Sequence, residues 1–471
     1  VLTLADVLEA LTGTRPEISP LVISEAAVDS RQVIPGALFV ALPGERVDGH
    51  NYLGDAFHRG AQLALVQQDV SDRFPQMDVR AGLPADLTVP TMPFCLRVDD
   101  SLKAMQQIAR FWRRKVDVRV IGITGSVGKS TTKELVSQVL CTRYRTLRNP
   151  GNLNNEIGLP LTLLRLSPGY ERAVLEMGFY VPGEIAFLCD LALPQVGVVT
   201  NIGTVHAERA GSQEAIARGK AELVKALPAD GVAILNYDDP WVRSMAGVAK
   251  SGVFFYGMDS HADLWADNVE GLGLEGIRFR LHFRNETLHL RAPLIGQHSV
   301  HTVLRAAAVG LVEGLTWSDI IHGLQMGQTQ LRLVAVHTQE GALLLDDTYN
   351  ASPESTLAAL NLLSELDGRK IAVLGDMYEL GPYEKQGHEK VGIRAAEVAQ
   401  RLLAVGELGK MIADAALNAG MPASAVSWVA TVQEAVDYLR GNLREGDVVL
   451  VKGSHGLHME KIVAALEVNN D

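Results

Sequence analysis

The sequence predicts an α/β protein of three domains. A β-branched strand runs straight into a glycine-rich loop and then a helix, apolar strands alternate with helical segments along the chain, and 471 residues suit about three domains of ~150 residues each. Hydrophobic residues make up 47% and charged residues 21%, the balance of a globular protein with large cores. A formal net charge of −12 argues against nucleic acid as a partner, since a face that binds phosphate backbones carries a basic surplus. Cys95, Cys141 and Cys189 show no metal-ligand spacing, as expected of reduced thiols in the cytoplasm. The N-terminal VLTLADVLEALTG reads as an amphipathic helix, and no run approaches 18 apolar residues, so no integral membrane segment is expected. The expected protein is a cytoplasmic monomer.

The central stretch spans residues 116–142. Val118, Val120, Ile121 and Ile123 form the apolar run of a strand buried in a parallel sheet. Thr124-Gly125-Ser126-Val127-Gly128-Lys129-Ser130-Thr131 follows, and Leu135, Val136, Val139 and Leu140 then recur at helical spacing. Strand, glycine loop and helix are the context in which backbone N–H groups and a helix N-terminus hold phosphate. Lys129 is placed to reach the β- and γ-phosphates of ATP, and the Ser130 hydroxyl to ligate Mg²⁺. The strict phosphate-loop pattern wants glycine at 123, where Ile123 stands.

The first unit is expected over residues 1–98. Asp29-Ser30-Arg31 precedes the apolar strand 37–42, a helix is expected over 52–60 and a second strand over 61–66, and the proline-rich stretch 75–94 reads as loop. Ser30 and Arg31 read either as a hook for a substrate phosphate or as a capped turn with a surface ion pair.

The central unit, 99–330, begins with a helix over 101–115. Strands at 173–175 and 196–200 end in Glu176-Met177-Gly178 and Asn201-Ile202-Gly203, so polar residues collect at the carboxyl edge, where ligands of parallel sheets bind. Glu176 reads as an oxygen ligand for Mg²⁺ or as a capping carboxylate. His206 is a lone loop histidine, and Lys220, on helix 213–227, reads on spacing alone as a solvated helix lysine. Alternating Ile277, Phe279, Leu281 and Phe283, a turn at 284–287, then Leu288 and Leu290 form a hairpin, and a helix is expected over 299–313. The last unit, 331–471, shows strands at 342–346, 371–375, 402–405 and 448–451, with Asp347 to Asn350 and Asp376 at strand ends. Two polar edges facing one another make an interdomain cleft.

These residues together resemble the Mur ligase family of ATP-dependent amide-forming enzymes. The marks are Asp29-Ser30-Arg31, the loop 124–130, Gly151-Asn152-Leu153-Asn154-Asn155-Glu156-Ile157-Gly158, Glu176-Met177-Gly178, Thr200-Asn201-Ile202-Gly203 with His206, Asp347-Thr348-Tyr349-Asn350-Ala351, Gly375-Asp376-Met377-Tyr378-Glu379-Leu380-Gly381 with His388, and Lys452-Gly453-Ser454. The resemblance covers essentially the whole chain. It implies an N-terminal α/β domain for a UDP-linked substrate, a central P-loop ATPase-like parallel-sheet domain, and a C-terminal Rossmann-like domain for the incoming dipeptide. The asparagine-rich and D-M-x-E-L-G stretches point to the branch that joins D-alanyl-D-alanine to UDP-N-acetylmuramoyl-tripeptide.

By the same resemblance Ser130, Glu176 and His206 surround Mg²⁺, and Lys220 is a lysine that some members carbamylate. Arg332 and Asp347 reach the nucleotide from the last domain. Asn350 belongs to the catalytic set, and Ser30, Arg31, Asn152, Asn154, Asn155, Asp376 and His388 serve the substrates. The implied chemistry activates a carboxylate as its acyl phosphate, which an amine then attacks. Two stretches depart from the family pattern: His298-Ser299-Val300-His301 lacks an asparagine associated with adenine, and Phe179-Tyr180-Val181 is bulkier than usual. The competing expectations are a sister ligase that adds the third amino acid, whose Asp-Asn-Pro-Arg motif is missing here, a folylpolyglutamate synthase, and a P-loop switch that ligates nothing.

Overall fold

Three sheets follow one another along the chain. The computed structural model describes residues 1–467 apart from 45–46, 85–86, 205–206 and 327–333. The first sheet is wholly parallel, in the order Ala26–Ala27, Leu38–Val40, Leu63–Val66, Phe94–Arg97, Gln76–Asp78. Its edge strand Gln76–Asp78 lies inside the stretch expected as loop. Three residues with one buried side chain, Met77, are too few to reveal an alternation.

The second sheet has nine strands: Glu286–Ala292, Ile277–Phe283, Leu264–Gly271, Gly252–Gly257, Val232–Asn236, Val196–Val199, Arg119–Thr124, Arg172–Glu176 and Thr146–Arg148. The pairings among the last seven are parallel, while the hairpin 277–292 adds antiparallel strands at one edge. A sheet buried on both faces needs apolar residues pointing both ways. Val120 packs with Leu159, Met177 and Leu223 on one side, and Ile121 and Ile123 pack with Val139, Val303 and Ala307 on the other.

The helix Ser101–Lys115 joins the first two units. Asp100 caps it, Trp112 donates to the Leu166 carbonyl at 2.9 Å, and buried Arg113 donates to Ala192, Val116 and Val118 carbonyls. Its apolar face belongs to one continuous core running from the first sheet into the second. The third sheet runs Val334–His337, Leu343–Asp346, Asp447–Lys452, Arg369–Gly375, Arg401–Val405, Val426–Val429, parallel except for its first strand. Separate apolar clusters fill its two faces. Among the described residues no helix is long and apolar enough to cross a membrane.

Glu313, at the end of the helix Val300–Val312, ties that helix to the amino edge of the central sheet. Its carboxylate is inaccessible and accepts from Arg119 at 2.7 Å and from Arg172. Glu313→Ala leaves two guanidinium groups, both partly open to water, without their buried carboxylate. An expected loss of about 2 kcal/mol in urea unfolding follows, below the range for a fully enclosed pair.

Candidate active site

The phosphate loop sits where the chain leaves the central sheet in opposite directions. The helix after Arg119–Thr124 leads toward Thr146–Arg148, while the helix after Val196–Val199 leads to the other side, which opens a crevice between the carboxyl ends of those two strands. The loop after Val199 braces the phosphate loop across that crevice. The Ser126 N–H donates to the Asn201 carbonyl and the Val127 N–H to Asn201 Oδ1, both at 2.9 Å. Thr200 donates its hydroxyl to the Val127 carbonyl at 2.7 Å. Gly125 has φ +146, and a Cβ there would stand 1.8 Å from Thr200 Oγ1, so only glycine fits. Gly128, at φ +81, opens the helix Lys129–Cys141.

Lys129 folds over the loop, with Nζ 2.9 Å from the Gly125 carbonyl and 3.2 Å from that of Ser126. The Ser130 hydroxyl donates to Glu176 Oε2 at 2.7 Å, and Asn154 Nδ2 donates to Oε1 at 2.9 Å. Glu176 is 2% exposed, at the end of the strand beside the loop. A hydroxyl and a buried carboxylate are hard oxygen donors, and Mg²⁺ usually takes one or two protein ligands with phosphate oxygens completing its shell. Ser130 and Glu176 therefore fit that cation. Among the described residues no cluster of three histidine, cysteine or acidic side chains forms a self-sufficient metal cage. His206 and Arg332 lie outside the described residues.

Lys220 corrects the solvated-lysine expectation. It is 1% exposed, its Nζ donates to the Gly125 carbonyl at 2.9 Å, and it lies 4.8 Å from the centre of the Phe179 ring. Burial, then the like charge of Lys129, holds its pKa well below the usual lysine range. The unexpected bulk of Phe179 has its place here: the ring covers Lys220 so closely that a Cβ on Gly219 would approach it to 2.0 Å.

The carboxyl edge of the third sheet faces the phosphate loop across a cleft of about 230 Å³, lined from both domains. Asp347 and Asn350 line it. Lys452, 2% exposed, pairs with Asp347 Oδ2 at 2.7 Å and donates to the Asn350 carbonyl at 2.9 Å. Ile295, Ala358, Ala359 and Leu362 make an apolar wall with His298 beside them. The His298 ring reaches the cleft, yet surrounding protein, then His301, Arg305 and Lys452, push its pKa down to about 4, so it is neutral at physiological pH. His301 is turned to Asp238, 2.7 Å away.

The other expected residues are distributed unevenly. Asn154 stands at the metal-type site, Asn155 accepts from the Ile157 and Gly158 N–H groups to start the next helix, and Asn152 is exposed. Arg31 is exposed with its guanidinium folded onto Asp29 at 2.7 Å, and Ser30 is buried. Asp376 and His388 are not brought to the cleft surface. Asp376 is buried and accepts from the Gly409 N–H and the Tyr378 hydroxyl. His388 is fully buried, accepts from the Met377 N–H at Nε2, and holds the Glu384 carbonyl at Nδ1.

Two buried cations beside the phosphate-loop helix are absent from the sequence reading. Lys133 donates to the Asn149 and Gly151 carbonyls and lies 3.9 Å from Glu176, fixing the asparagine-rich loop. Its spacing with Val136 and Leu140 puts it on the apolar face of its helix, a signal open to notice. Arg305 braces the phosphate-loop helix through Thr132 at 2.8 Å, and it is the lone charge in the run 302–312.

Fold and site define a P-loop nucleotide-binding enzyme whose cleft is completed by a Rossmann-like domain. Family models match three successive segments: the Mur ligase family catalytic domain over 22–113, the Mur ligase middle domain over 123–310, and the Mur ligase glutamate ligase domain over 331–455. The chain is 35% identical over 470 residues to the UDP-N-acetylmuramoyl-tripeptide–D-alanyl-D-alanine ligase of Bacillus subtilis, covering 98% of each. It is 31% identical to a crystal structure of MurF from Acinetobacter baumannii, with a TM-score of 0.82 over 98% of this chain and 97% of that one. A MurF ligase from Thermotoga maritima in complex with ADP matches at 26% identity and a TM-score of 0.78, over 95% and 98%. The chain belongs to the Mur ligase family.

Proposed function

We propose that the chain joins D-alanyl-D-alanine to UDP-N-acetylmuramoyl-tripeptide with ATP, forming the pentapeptide precursor, ADP and phosphate. The observation that carries it is the cleft between phosphate loop and third sheet, in a chain whose full-length relatives bear that activity in their names. A P-loop switch has no use for Asp347, Asn350 and Lys452 across from its nucleotide.

A carboxylate resists attack by an amine, because its carbon is weakly electrophilic and oxide is a poor leaving group. Transfer of the γ-phosphoryl group to the tripeptide's terminal carboxylate makes an acyl phosphate. Attack by the dipeptide amine then gives a tetrahedral adduct that expels phosphate and leaves the amide. The protein's task is positioning and charge stabilisation. The N–H groups at the start of the helix Lys129–Cys141 and the Lys129 ammonium cradle the phosphates, those of Ser126 and Val127 being engaged by Asn201. The apolar wall of Ile295, Ala359 and Leu362, with neutral His298, receives the base in place of the missing asparagine. Ser130 and Glu176 would hold Mg²⁺, which when bound neutralises phosphate charge. Asp347 and Asn350 act at the same cleft from the third domain. Lys220, buried and short of protons, is suited to carbamylation. Asn152, Asn154 and Asn155, with Ser30 and Arg31 further off, serve the UDP-linked substrate, while Asp376 and His388 support the loop 376–381 behind the dipeptide side.

The test is phosphate release. Release is expected only when ATP, a UDP-tripeptide and D-alanyl-D-alanine are all present. Hydrolysis indifferent to the dipeptide would overturn the ligase reading, and a requirement for a free diamino acid in its place would move the chain to the sister activity.

A further inference from the structure

A second cavity, of about 310 Å³, lies beside the active site on the side of the first domain. Asn154 connects the two: it donates to Glu176 and also lines this cavity, with Gly178 between them. The Glu156 carbonyl, at the rim, accepts from Gln106 on the helix that carries the first domain. Pro182, Phe187 and Leu188 are its apolar lining, Tyr180 its aromatic one, and Glu156 and Glu184 its charged residues.

Chemistry says what has to lie there. In the proposed ligation the reacting carboxylate belongs to the third residue of the tripeptide, so that residue's side chain is rooted one carbon from the phosphorylated group. Asn154, which donates to Glu176 and lines this cavity, places a side chain rooted beside Glu176 within reach of it. We propose that it is the subsite for the third residue's side chain, and that it selects an aliphatic chain ending in a lone ammonium. This rests on the ligase reading above.

The selection follows from charge and from donors already engaged. Among the described residues that line the cavity there are two glutamates and no lysine, arginine or histidine. The nearby cation, Arg209, is stacked on the Tyr180 ring and lies 3.8 Å from Glu379. The N-terminus of the helix Glu184–Ala192 is not open to a carboxylate. Glu184 already accepts from the Tyr180 and Val181 N–H groups, and Glu222 from those of Gly183 and Ala186. A lysine side chain lays four methylenes on the apolar lining and its ammonium between the glutamates. The distal carboxylate of diaminopimelate meets the same glutamates and is repelled.

Three UDP-tripeptides, ending in L-lysine, L-norleucine and meso-diaminopimelate, separate the possibilities in the phosphate-release assay. The expected kcat/KM for lysine exceeds both others by about two- to fivefold, the upper range for exposed ion pairs. Glu156→Gln is expected to narrow the lysine–norleucine gap by raising KM for the lysine tripeptide. Phe187→Trp, which enlarges the apolar lining, is expected to slow all three without moving KM for ATP. Norleucine or diaminopimelate matching lysine, or Glu156→Gln lowering lysine and norleucine alike, overturns the subsite. Failure of every tripeptide to support dipeptide-dependent release instead overturns the ligase reading itself.

Discussion

Replacing Lys129 with alanine is expected to lower dipeptide-dependent phosphate release by about 10²–10³-fold at saturating ATP, the cost of removing one preorganised charge from a phosphoryl-transfer site. The size follows from the lack of a substitute. Each other ammonium group near the loop is already held: Lys133 by the Asn149 and Gly151 carbonyls, Lys220 by the Gly125 carbonyl, and Lys452 by Asp347. Lys129 itself rests on the carbonyls of Gly125 and Ser126, within reach of anything those loop residues cradle. The fold does not depend on it, since Thr200, Asn201 and Gly203 brace the loop through other atoms. Thermal unfolding of Lys129→Ala is therefore expected to match the parent within the few tenths of a kcal/mol usual for partly exposed sites. Retention of more than about a tenth of the turnover would sink the phosphate-loop assignment.

Legibility of the site tracked how much chemistry each residue carries in its immediate neighbours. Ser130 and Glu176 stand at loop and strand ends that a parallel sheet must gather at one edge, so strand–loop order brought them together, whereas Asn154 came only from the family resemblance. Short edge strands such as Gln76–Asp78 and Thr146–Arg148 exist because a longer neighbour offers them hydrogen bonds, and three residues carry no period of their own. Lys220 was misread for a related reason. A helix with Arg218, Lys220 and Lys225 suggests a wet face, but Ile216, Ala217, Ala221, Leu223 and Val224 bury both flanks against the sheet, and Phe179, far off in sequence, closes the top. Motif membership alone does not say which way a side chain turns. Asp376 and His388 belong to a distinctive stretch, yet their polar atoms are turned inward to hold Gly409, Tyr378, Met377 and Glu384.

Lys220→Ala is expected to lose about 10²-fold in turnover, with part of it restored by acetate or formate added to the assay. Two lysines converge on one oxygen here, each Nζ 2.9 Å from the Gly125 carbonyl, and two ammonium charges at that spacing oppose one another. Burial, and next the charge of Lys129, favours the neutral amine at Lys220. In the proposed carbamylation the neutral amine would attack CO₂: the N–C bond would form, one amine proton would leave to solvent, and a carbamate of charge −1 would take the place of a cation. Repulsion with Lys129 would become attraction, and an anion would be available to orient groups around the phosphate site. The pH dependence has a definite sign. Protonation of Lys220 blocks the reaction, and because its pKa is lowered, the reactive form persists to lower pH than for an ordinary lysine. As pH falls through that lowered value, activity in bicarbonate-free buffer should decay and return when bicarbonate is supplied. Phe179→Ala sharpens the test. Admitting water over the ammonium raises its proton affinity, so this variant should need more bicarbonate for equal turnover while its KM for ATP stays put. A Lys220→Ala protein that folds, keeps full activity and ignores both acids would leave Lys220 as a buried prop for the loop and nothing more.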